Sequence, residues 1–244
     1  MHNVVVTGGS RGLGLGIVRG LSAAGYPTIA VSRTLSEDLN RTIVEAEKRG
    51  HAPVHFLPFD LSETDNIPAL AEMLKGKHTP VYGLVNNAGL GIGGLLATMQ
   101  NSDIERLVRL NTLSPILLSK YVVRMMMAQG EGRIVNVSSI VAATGFNALS
   151  VYAATKASLV GFTRSLAREV GRAGITVNAV APGFVDTDMT REMSDADRDR
   201  IVRRSALRRL PQVEDVANAV EYLLSAKARN ITGTVITVDA GSIT

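Results

Sequence analysis

The strongest constraint on the fold is the regular alternation of short apolar runs with longer stretches of helical periodicity. The short runs are mostly apolar without alternating polar positions, which is typical of strands that are covered on both faces. Strands that alternate with helices predict βαβ units and a parallel sheet. We expect strands at residues 3–7, 28–32, 54–59, 82–86, 133–138, 175–180 and 234–238.

Between these strands, helices are expected at residues 12–24, 36–49, 64–74, 102–128, 151–172 and 213–226. The sequence therefore predicts an α/β fold with a doubly wound, seven-stranded parallel sheet. In such a sheet, ligands bind in the crevice at the carboxyl ends of the strands.

Length and composition fit one globular domain over residues 1–244. Of the 244 residues, 45% are hydrophobic and 20% are charged, which excludes a disordered, collagen-like or coiled-coil protein. The chain has no cysteine, so disulfides and thiolate metal sites are excluded and a reducing, cytoplasmic location is expected. No stretch reaches the ~20 apolar residues of a membrane span, and strand 3–7 begins so near Met1 that we expect no secretion signal.

Two features that suggest other partners have plainer explanations. The net charge is +4, and seven arginines against four acidic residues between positions 191 and 209 carry most of the excess. This segment contains no aromatic residue, whereas nucleic-acid binding favours basic residues interleaved with aromatic ones, so we expect no nucleic-acid partner. His51 and His55 have the spacing of helical metal ligands, but Pro53 lies between them, so we expect no metal site.

A glycine-rich turn follows the first expected strand and precedes the first expected helix. Its glycines have the spacing G-x-x-x-G-x-G over residues 8–14. Glycines permit a tight turn, and the free N–H groups of the helix N-terminus favour a pyrophosphate. A strand before and a helix after are what a dinucleotide site requires; a turn without a ligand is the alternative. The expected cofactor contacts in this turn are Gly8, Ser10, Arg11, Gly12, Leu13 and Gly14.

The end of the second strand favours NADP(H) over NAD(H). An NAD site places Asp or Glu there to hold the ribose 2′-hydroxyl, whereas this chain has Ser32 and Arg33. Together with Arg11, Arg33 can pair with a 2′-phosphate through charge-assisted hydrogen bonds. The alternative is that both arginines are solvated surface residues.

A tyrosine and a lysine provide the candidate chemistry. Tyr152 and Lys156 are four residues apart in an expected helix, which places them on the same face. A neighbouring cation lowers the pKa of a tyrosine from about 10, and the phenol then becomes a usable proton donor and acceptor. Ser138 and Ser139 follow the fifth strand, where a hydroxyl can bind a substrate oxygen. Spacing alone does not choose between these two serines.

With these motifs in this order, the chain resembles the short-chain dehydrogenase/reductase family over essentially its whole length. The resemblance rests on residues 7–14, Asp60 with Leu61, 86–89, Asn111, Ser139, 152–156, Pro182 with Gly183, and Thr187. It implies a Rossmann domain in which Tyr152 is the general acid/base and Ser139, rather than Ser138, orients the carbonyl. Lys156 would hold the nicotinamide ribose and lower the pKa of the tyrosine, and Asn111 would bind a water that passes protons to Lys156.

The same resemblance implies the remaining cofactor contacts. Asp60 and Leu61 would lie at the adenine, and Tyr152 and Lys156 would touch the cofactor as well as the substrate. Asn87, Ala88 and Gly89 would line the cleft, and Pro182, Gly183, Val185 and Thr187 would hold the nicotinamide end.

Within the family, the chain is most similar to the 3-oxoacyl-(acyl-carrier-protein) reductases of fatty-acid synthesis. The similarity lies in residues 187–191, 194–195, 218–220 and 231–233. It implies an NADPH-dependent ketoreductase that acts on a 3-oxoacyl thioester of acyl carrier protein or coenzyme A. A reductase or dehydrogenase of a small free ketone or alcohol is the alternative, and a cofactor-binding scaffold is the non-enzyme alternative.

Two further expectations rest on the family resemblance alone. Paired long helices imply a homotetramer, and residues from about 186 to 210 imply a substrate lid. The arginines of that segment either meet an acidic carrier or form a solvated helix face.

Overall fold

The computed structural model describes residues 2–185 and 195–243. Its centre is a parallel sheet of seven strands in the order β3-β2-β1-β4-β5-β6-β7. The strands are β1 Asn3–Thr7, β2 Thr28–Ser32, β3 Val54–Pro58, β4 Val81–Asn86, β5 Gly132–Val137, β6 Ile175–Pro182 and β7 Val235–Val238. The doubly wound α/β fold and all seven expected strands are confirmed, with strand ends within two residues of the prediction.

Nine α-helices are described on the two faces of this sheet and in its connections. They are α1 Gly12–Ala23, α2 Glu37–Lys48, α3 Ile67–Lys77, α4 Asn101–Val108, α5 Ser114–Gln129, α6 Val141–Thr144, α7 Ser150–Val170, α8 Asp195–Arg204 and α9 Val213–Leu224. Short 3-10 turns lie at Thr64–Asn66, Leu96–Thr98, Gly171–Ala173 and Ala226–Ala228.

The expected helix 102–128 is in fact two helices. A π-helical turn over Arg109–Leu113 separates α4 from α5, and Asn111 is buried in it. The Asn111 side chain bonds the backbone of Leu90 and the hydroxyl of Thr155. These long-range bonds accompany the local widening of the helix, which the local sequence pattern does not reveal.

The segment from 186 to 210 is described only from residue 195 onward. There, α8 occupies part of the arginine-rich stretch, with Arg200, Arg203 and Arg204 exposed. Periodicity did not predict this helix, because its sequence is dominated by charged residues. The proposed lid otherwise includes residues 186–194, which lie outside the described residues, so the lid stays a prediction.

Alternating side chains of the strands pack into two hydrophobic cores, one on each face of the sheet. Val4 and Val6 face a core shared with α1, α2 and α9, whereas Val5 faces a core shared with α3, α5 and α7. Because both faces are covered, the strands have to be apolar throughout. Within residues 2–185 and 195–243, none of the helices is both long and apolar enough to cross a bilayer.

The strand order reverses direction next to β1. β1 has β2 on one side and β4 on the other, so the connections that follow β1 and β4 diverge and leave a crevice at the carboxyl edge. The segments after β1, β4, β5 and β6 therefore meet at this edge, and they contain most of the expected site residues.

Candidate active site

The glycine turn after β1 has a shape that only glycine tolerates at its critical positions. Gly8 has φ +68° and Gly12 has φ +52°, the left-handed region that side chains disfavour. A Cβ at Gly14 would lie only 2.1 Å from the Gly8 carbonyl oxygen. Within the described residues, no side chain caps the first turn of α1, so its N–H groups remain directed at the crevice.

Thr7 connects the glycine turn to the segment after β4. Its hydroxyl accepts hydrogen bonds from the N–H groups of Asn87 and Ala88, both at 3.0 Å. The Asn87 amide in turn donates to the Thr7 carbonyl at 2.9 Å. These contacts place Asn87, Ala88 and the following Gly89 beside the glycine turn, as one continuous cleft wall.

The expected adenine end collects residues from three loops. The Asp60 carboxylate accepts bonds from the N–H and the hydroxyl of Ser62, at 2.9 and 2.7 Å. Burial opposes ionisation of Asp60, but the Ser62 bonds and the charge of Arg33 outweigh it and hold its pKa below the usual value. Arg33 therefore lies within electrostatic reach of Asp60. Arg33 and Arg11 are both exposed, free to reach an anion bound at this edge.

The two serines after β5 have different roles. The Ser138 hydroxyl is buried and donates to the Lys156 carbonyl at 2.8 Å, which anchors the start of α7 to the sheet. The Ser139 hydroxyl instead lies beside the phenol of Tyr152, where its interaction with the phenol acts to lower the phenol's pKa. The structure thus brings Ser139, not Ser138, to the tyrosine.

Tyr152 and Lys156 share one face of α7, as expected from their spacing, with the Lys156 Nζ 5.8 Å from the centre of the Tyr152 ring. Burial raises the pKa of the phenol above 10.0, and the Ser139 hydroxyl opposes that shift. This direction is opposite to the expected lowering by lysine, because in this structure burial outweighs the favourable contacts of the phenol.

Lys156 itself is almost completely buried, at 4% exposure. Its ammonium donates to the Val137 carbonyl at 2.8 Å. Burial lowers its pKa from 10.5 to about 8, since a charged ammonium loses its hydration there.

Asn111 lies next to the lysine. Its Oδ1 accepts from the Leu90 N–H at 2.8 Å, and its Nδ2 donates to the Leu90 carbonyl at 2.9 Å. A Cβ placed on Gly89 would lie 3.3 Å from Asn111 Oδ1 and 3.4 Å from Lys156 Nζ. Because Gly89 has no side chain, its backbone lies close to both Asn111 and Lys156. The water that the family resemblance implies at Asn111 stays a prediction.

The expected nicotinamide end follows β6. The Pro182 carbonyl accepts from the Ile140 N–H at 3.1 Å, and the Gly183 N–H donates to Val238 at 2.9 Å. A Cβ on Gly183 would lie 2.8 Å from the Asp239 Cβ, so this backbone approach requires glycine. Val185 is buried, and Thr187 lies outside the described residues.

Sequence reasoning missed the supporting polar side chains. Nothing in the local pattern shows that Ser138 anchors α7, or that Thr155 bonds Asn111, because both contacts join distant segments. Phe146 and Phe184, whose rings lie 5.6 Å apart, were also not singled out. In the part of the chain that the structure describes, no three His, Asp or Glu side chains cluster as a metal site requires.

The sequence profile described as short chain dehydrogenase matches residues 2–198. The chain is 40% identical over 237 residues to the 3-oxoacyl-(acyl-carrier-protein) reductase FabG of Pseudomonas aeruginosa, which covers 97% of this chain and 95% of that protein. It is 38% identical over 240 residues to the reductase of the same name from Escherichia coli, with the same two coverages.

Among solved structures, a gluconate 5-dehydrogenase from Burkholderia cenocepacia in complex with NADP and tartrate is similar at a TM-score of 0.93 and 28% identity. The similarity covers 99% of this chain and 94% of that one.

Proposed function

The chain belongs to the short-chain dehydrogenase family, and from this membership we propose that it is an NADPH-dependent ketoreductase that converts a 3-oxoacyl thioester into the 3-hydroxyacyl thioester. The observation that carries the proposal is the meeting of the Ser139 hydroxyl, the Tyr152 phenol and the buried ammonium of Lys156 at one place. The intact set of Asn111, Ser139, Tyr152 and Lys156 argues against an inactive scaffold.

The residues of the cleft fit a dinucleotide. The turn at Gly8, Gly12 and Gly14 leaves no room for side chains where a pyrophosphate would approach the backbone, and α1 offers its N-terminal N–H groups and dipole. We propose that Asp60 lies at the adenine, that Asn87 to Gly89 line the cleft, and that Pro182, Gly183 and Val185 hold the nicotinamide end. When bound, this cofactor supplies the hydride that reduces the carbonyl carbon.

The protein's own contribution is the positioning of protons. We propose that the hydroxyls of Ser139 and Tyr152 both bond the carbonyl oxygen, and that the Tyr152 proton passes to this oxygen as the carbon is reduced. A phenol with a raised pKa stays protonated at neutral pH, which suits an acid in the reductive direction. Lys156, next to Asn111 and Gly89, would return a proton to the phenoxide from the cleft.

The proposed function is tested by NADPH consumption with a panel of acetoacetyl thioesters, on acyl carrier protein and on coenzyme A, and of small free ketones. The identities of 40% and 38% to named 3-oxoacyl reductases favour the thioesters. Turnover of free ketones alone would support the alternative, and NADPH binding without turnover of any carbonyl would support the scaffold.

We expect Arg33→Asp to weaken the binding of NADPH relative to that of NADH. The substitution replaces the proposed partner of the 2′-phosphate by a like charge, and loss of one charged hydrogen bond costs roughly 1.5 to 3 kcal/mol, or about 10- to 150-fold in relative affinity. Dissociation constants for NADPH and NADH measure the effect. Arg49→Asp, which changes the charge at an exposed arginine after α2, is the matched control.

If Arg33→Asp and Arg11→Ala both leave the ratio of the two dissociation constants as in the wild type, the phosphate is held elsewhere. A weakening of both cofactors by the same factor would also contradict the proposed role, since NADH has no 2′-phosphate to lose.

If the substrate is carried by an acidic carrier protein, its kcat/KM should depend on ionic strength. Arg203 and Arg204 are exposed at the end of α8, where they can attract an acidic carrier. Raising ionic strength from about 0.01 to 0.15 M shortens the Debye length from roughly 30 to 8 Å. We expect kcat/KM for the carrier thioester to fall over this range, while kcat/KM for a small neutral ketone stays constant, because steering acts on association.

The double variant Arg203→Glu, Arg204→Glu should flatten the salt dependence for the carrier thioester. The matched control is Lys227→Glu, Arg229→Glu, which makes the same change of charge beyond α9. Equal salt responses for both substrates, or equal effects of the two double variants, would assign the α8 arginines to a solvated surface.

A further inference from the structure

The rim of the proposed active site has no charged residue along three segments. Residues 87–100, 138–151 and 181–185 contain no Asp, Glu, Lys, Arg or His. The first two segments are joined by the Gly94 N–H, which donates to the Ala148 carbonyl at 2.8 Å. The last two are joined by the bond from Ile140 to Pro182 at 3.1 Å. Ser139 belongs to the second segment, so the uncharged segments are joined to the stretch that carries the hydroxyl proposed to bind the carbonyl.

Two phenylalanines stand at the meeting point of the last two segments. The rings of Phe146 and Phe184 are 5.6 Å apart at 60°, a favourable aromatic contact. Phe146 is nevertheless 49% exposed. It lies in a tight turn in which Gly145 has φ +68° and Ala148 has φ +61°.

A half-exposed phenyl ring in the segment that follows Ser139 offers apolar surface to a ligand. Leu149 adjoins the turn, with its Cδ2 3.6 Å from where a Cβ on Gly93 would lie. We refer to Phe146, Leu149 and Phe184 as the apolar wall. A polyhydroxylated acid would bring its carboxylate and hydroxyls against three apolar side chains, which is unfavourable, whereas an alkyl chain would bury surface on both sides.

We propose that the apolar wall binds the alkyl chain of the substrate beyond its 3-oxo group, and that Phe146 makes the protein selective for medium-length 3-oxoacyl chains over acetoacetyl. This inference rests on the proposed function for the identity of the head group, but the wall would select by chain length for any ketone that reaches Ser139 and Tyr152. Phe146 is thus a specificity-determining residue, distinct from those that transfer the proton.

The size of the effect follows from the area of contact. A fully buried methylene is worth about four-fold in affinity, and a wall on one side of the chain buries about half of it, or about two-fold per methylene. The four methylenes that separate 3-oxooctanoyl from acetoacetyl should then raise kcat/KM by about 16-fold in the wild type.

The test is kcat/KM for acetoacetyl, 3-oxohexanoyl and 3-oxooctanoyl coenzyme A in four proteins. The wild type should show the rising series, and Phe146→Ala should reduce the preference to about two-fold while acetoacetyl turnover is kept. Phe146→Leu, which restores an apolar side chain, should recover most of the preference. Val44→Ala, which trims a similarly exposed residue on α2, should leave the series unchanged.

A flat series in the wild type, or a series that Phe146→Ala leaves as steep as before, would overturn the inference while the proposed function stands. If no thioester is reduced, the proposed function fails, and the same four proteins are compared on methyl ketones from butanone to octanone. A chain-length preference that depends on Phe146 in that second series supports the apolar wall, and a flat or absent response contradicts it.

Discussion

Tyr152→Phe is expected to lower turnover of the ketone by about 10²- to 10⁴-fold, the usual contribution of a positioned general acid. The substitution removes only the phenolic oxygen, so the ring that packs beside Lys156 and the glycine cleft remain. NADPH binding should therefore be intact. Steady-state rates and cofactor titration by fluorescence measure the two properties separately.

Tyr222→Phe is the matched control, because Tyr222 is an exposed tyrosine on α9, remote from the phenol of Tyr152 in the chain. It should retain wild-type rates. Residual activity of Tyr152→Phe near the wild-type value would remove the phenol from the mechanism, and loss of NADPH affinity in the same variant would show that the hydroxyl also holds the cofactor.

The sheet was predictable from the sequence because its signal is local. Each strand is covered on both faces, so runs such as Val4 to Val6 have to be apolar throughout, and the helical stretches between them enforce parallel connections. The break between α4 and α5 was not predictable, since residues 102–128 carry one continuous helical pattern. The break is accompanied by bonds of Asn111 to Leu90 and Thr155, which are distant in the chain.

In the candidate site, too, some features follow from local sequence spacing and others depend on the fold. The four-residue spacing of Tyr152 and Lys156 is sufficient to place both on one face of α7. Spacing alone did not choose between Ser138 and Ser139. The family resemblance implied Ser139, and in the fold the Ser138 hydroxyl donates to the Lys156 carbonyl. The pKa of Tyr152 was expected to fall and is raised instead, since spacing indicates the neighbouring cation but not the depth of burial.

The second large effect is expected when the buried Lys156 is replaced. Lys156→Met should weaken NADPH binding by about 10- to 150-fold, the cost of losing one charged hydrogen bond to the proposed ribose, and turnover should fall further because the phenol loses its neighbouring ammonium. Lys227→Met, at an exposed lysine after α9, is the matched control and should change neither property. Unaltered NADPH affinity in Lys156→Met would refute the ribose contact.

The stability of the same variant tests the burial of the charge independently of activity. In the native state the pKa of Lys156 is about 8, below its usual 10.5, so between these values the unfolded chain binds a proton that the native state has released. The wild-type free energy of unfolding therefore gains, from this residue, up to about 1.4 kcal/mol per pH unit as the pH rises through that window. Methionine does not titrate, so urea unfolding of wild type and Lys156→Met should diverge above pH 8 in favour of the wild type. Parallel stability curves across the window would mean that the ammonium is solvated in the native protein, which would contradict its buried position beside Tyr152.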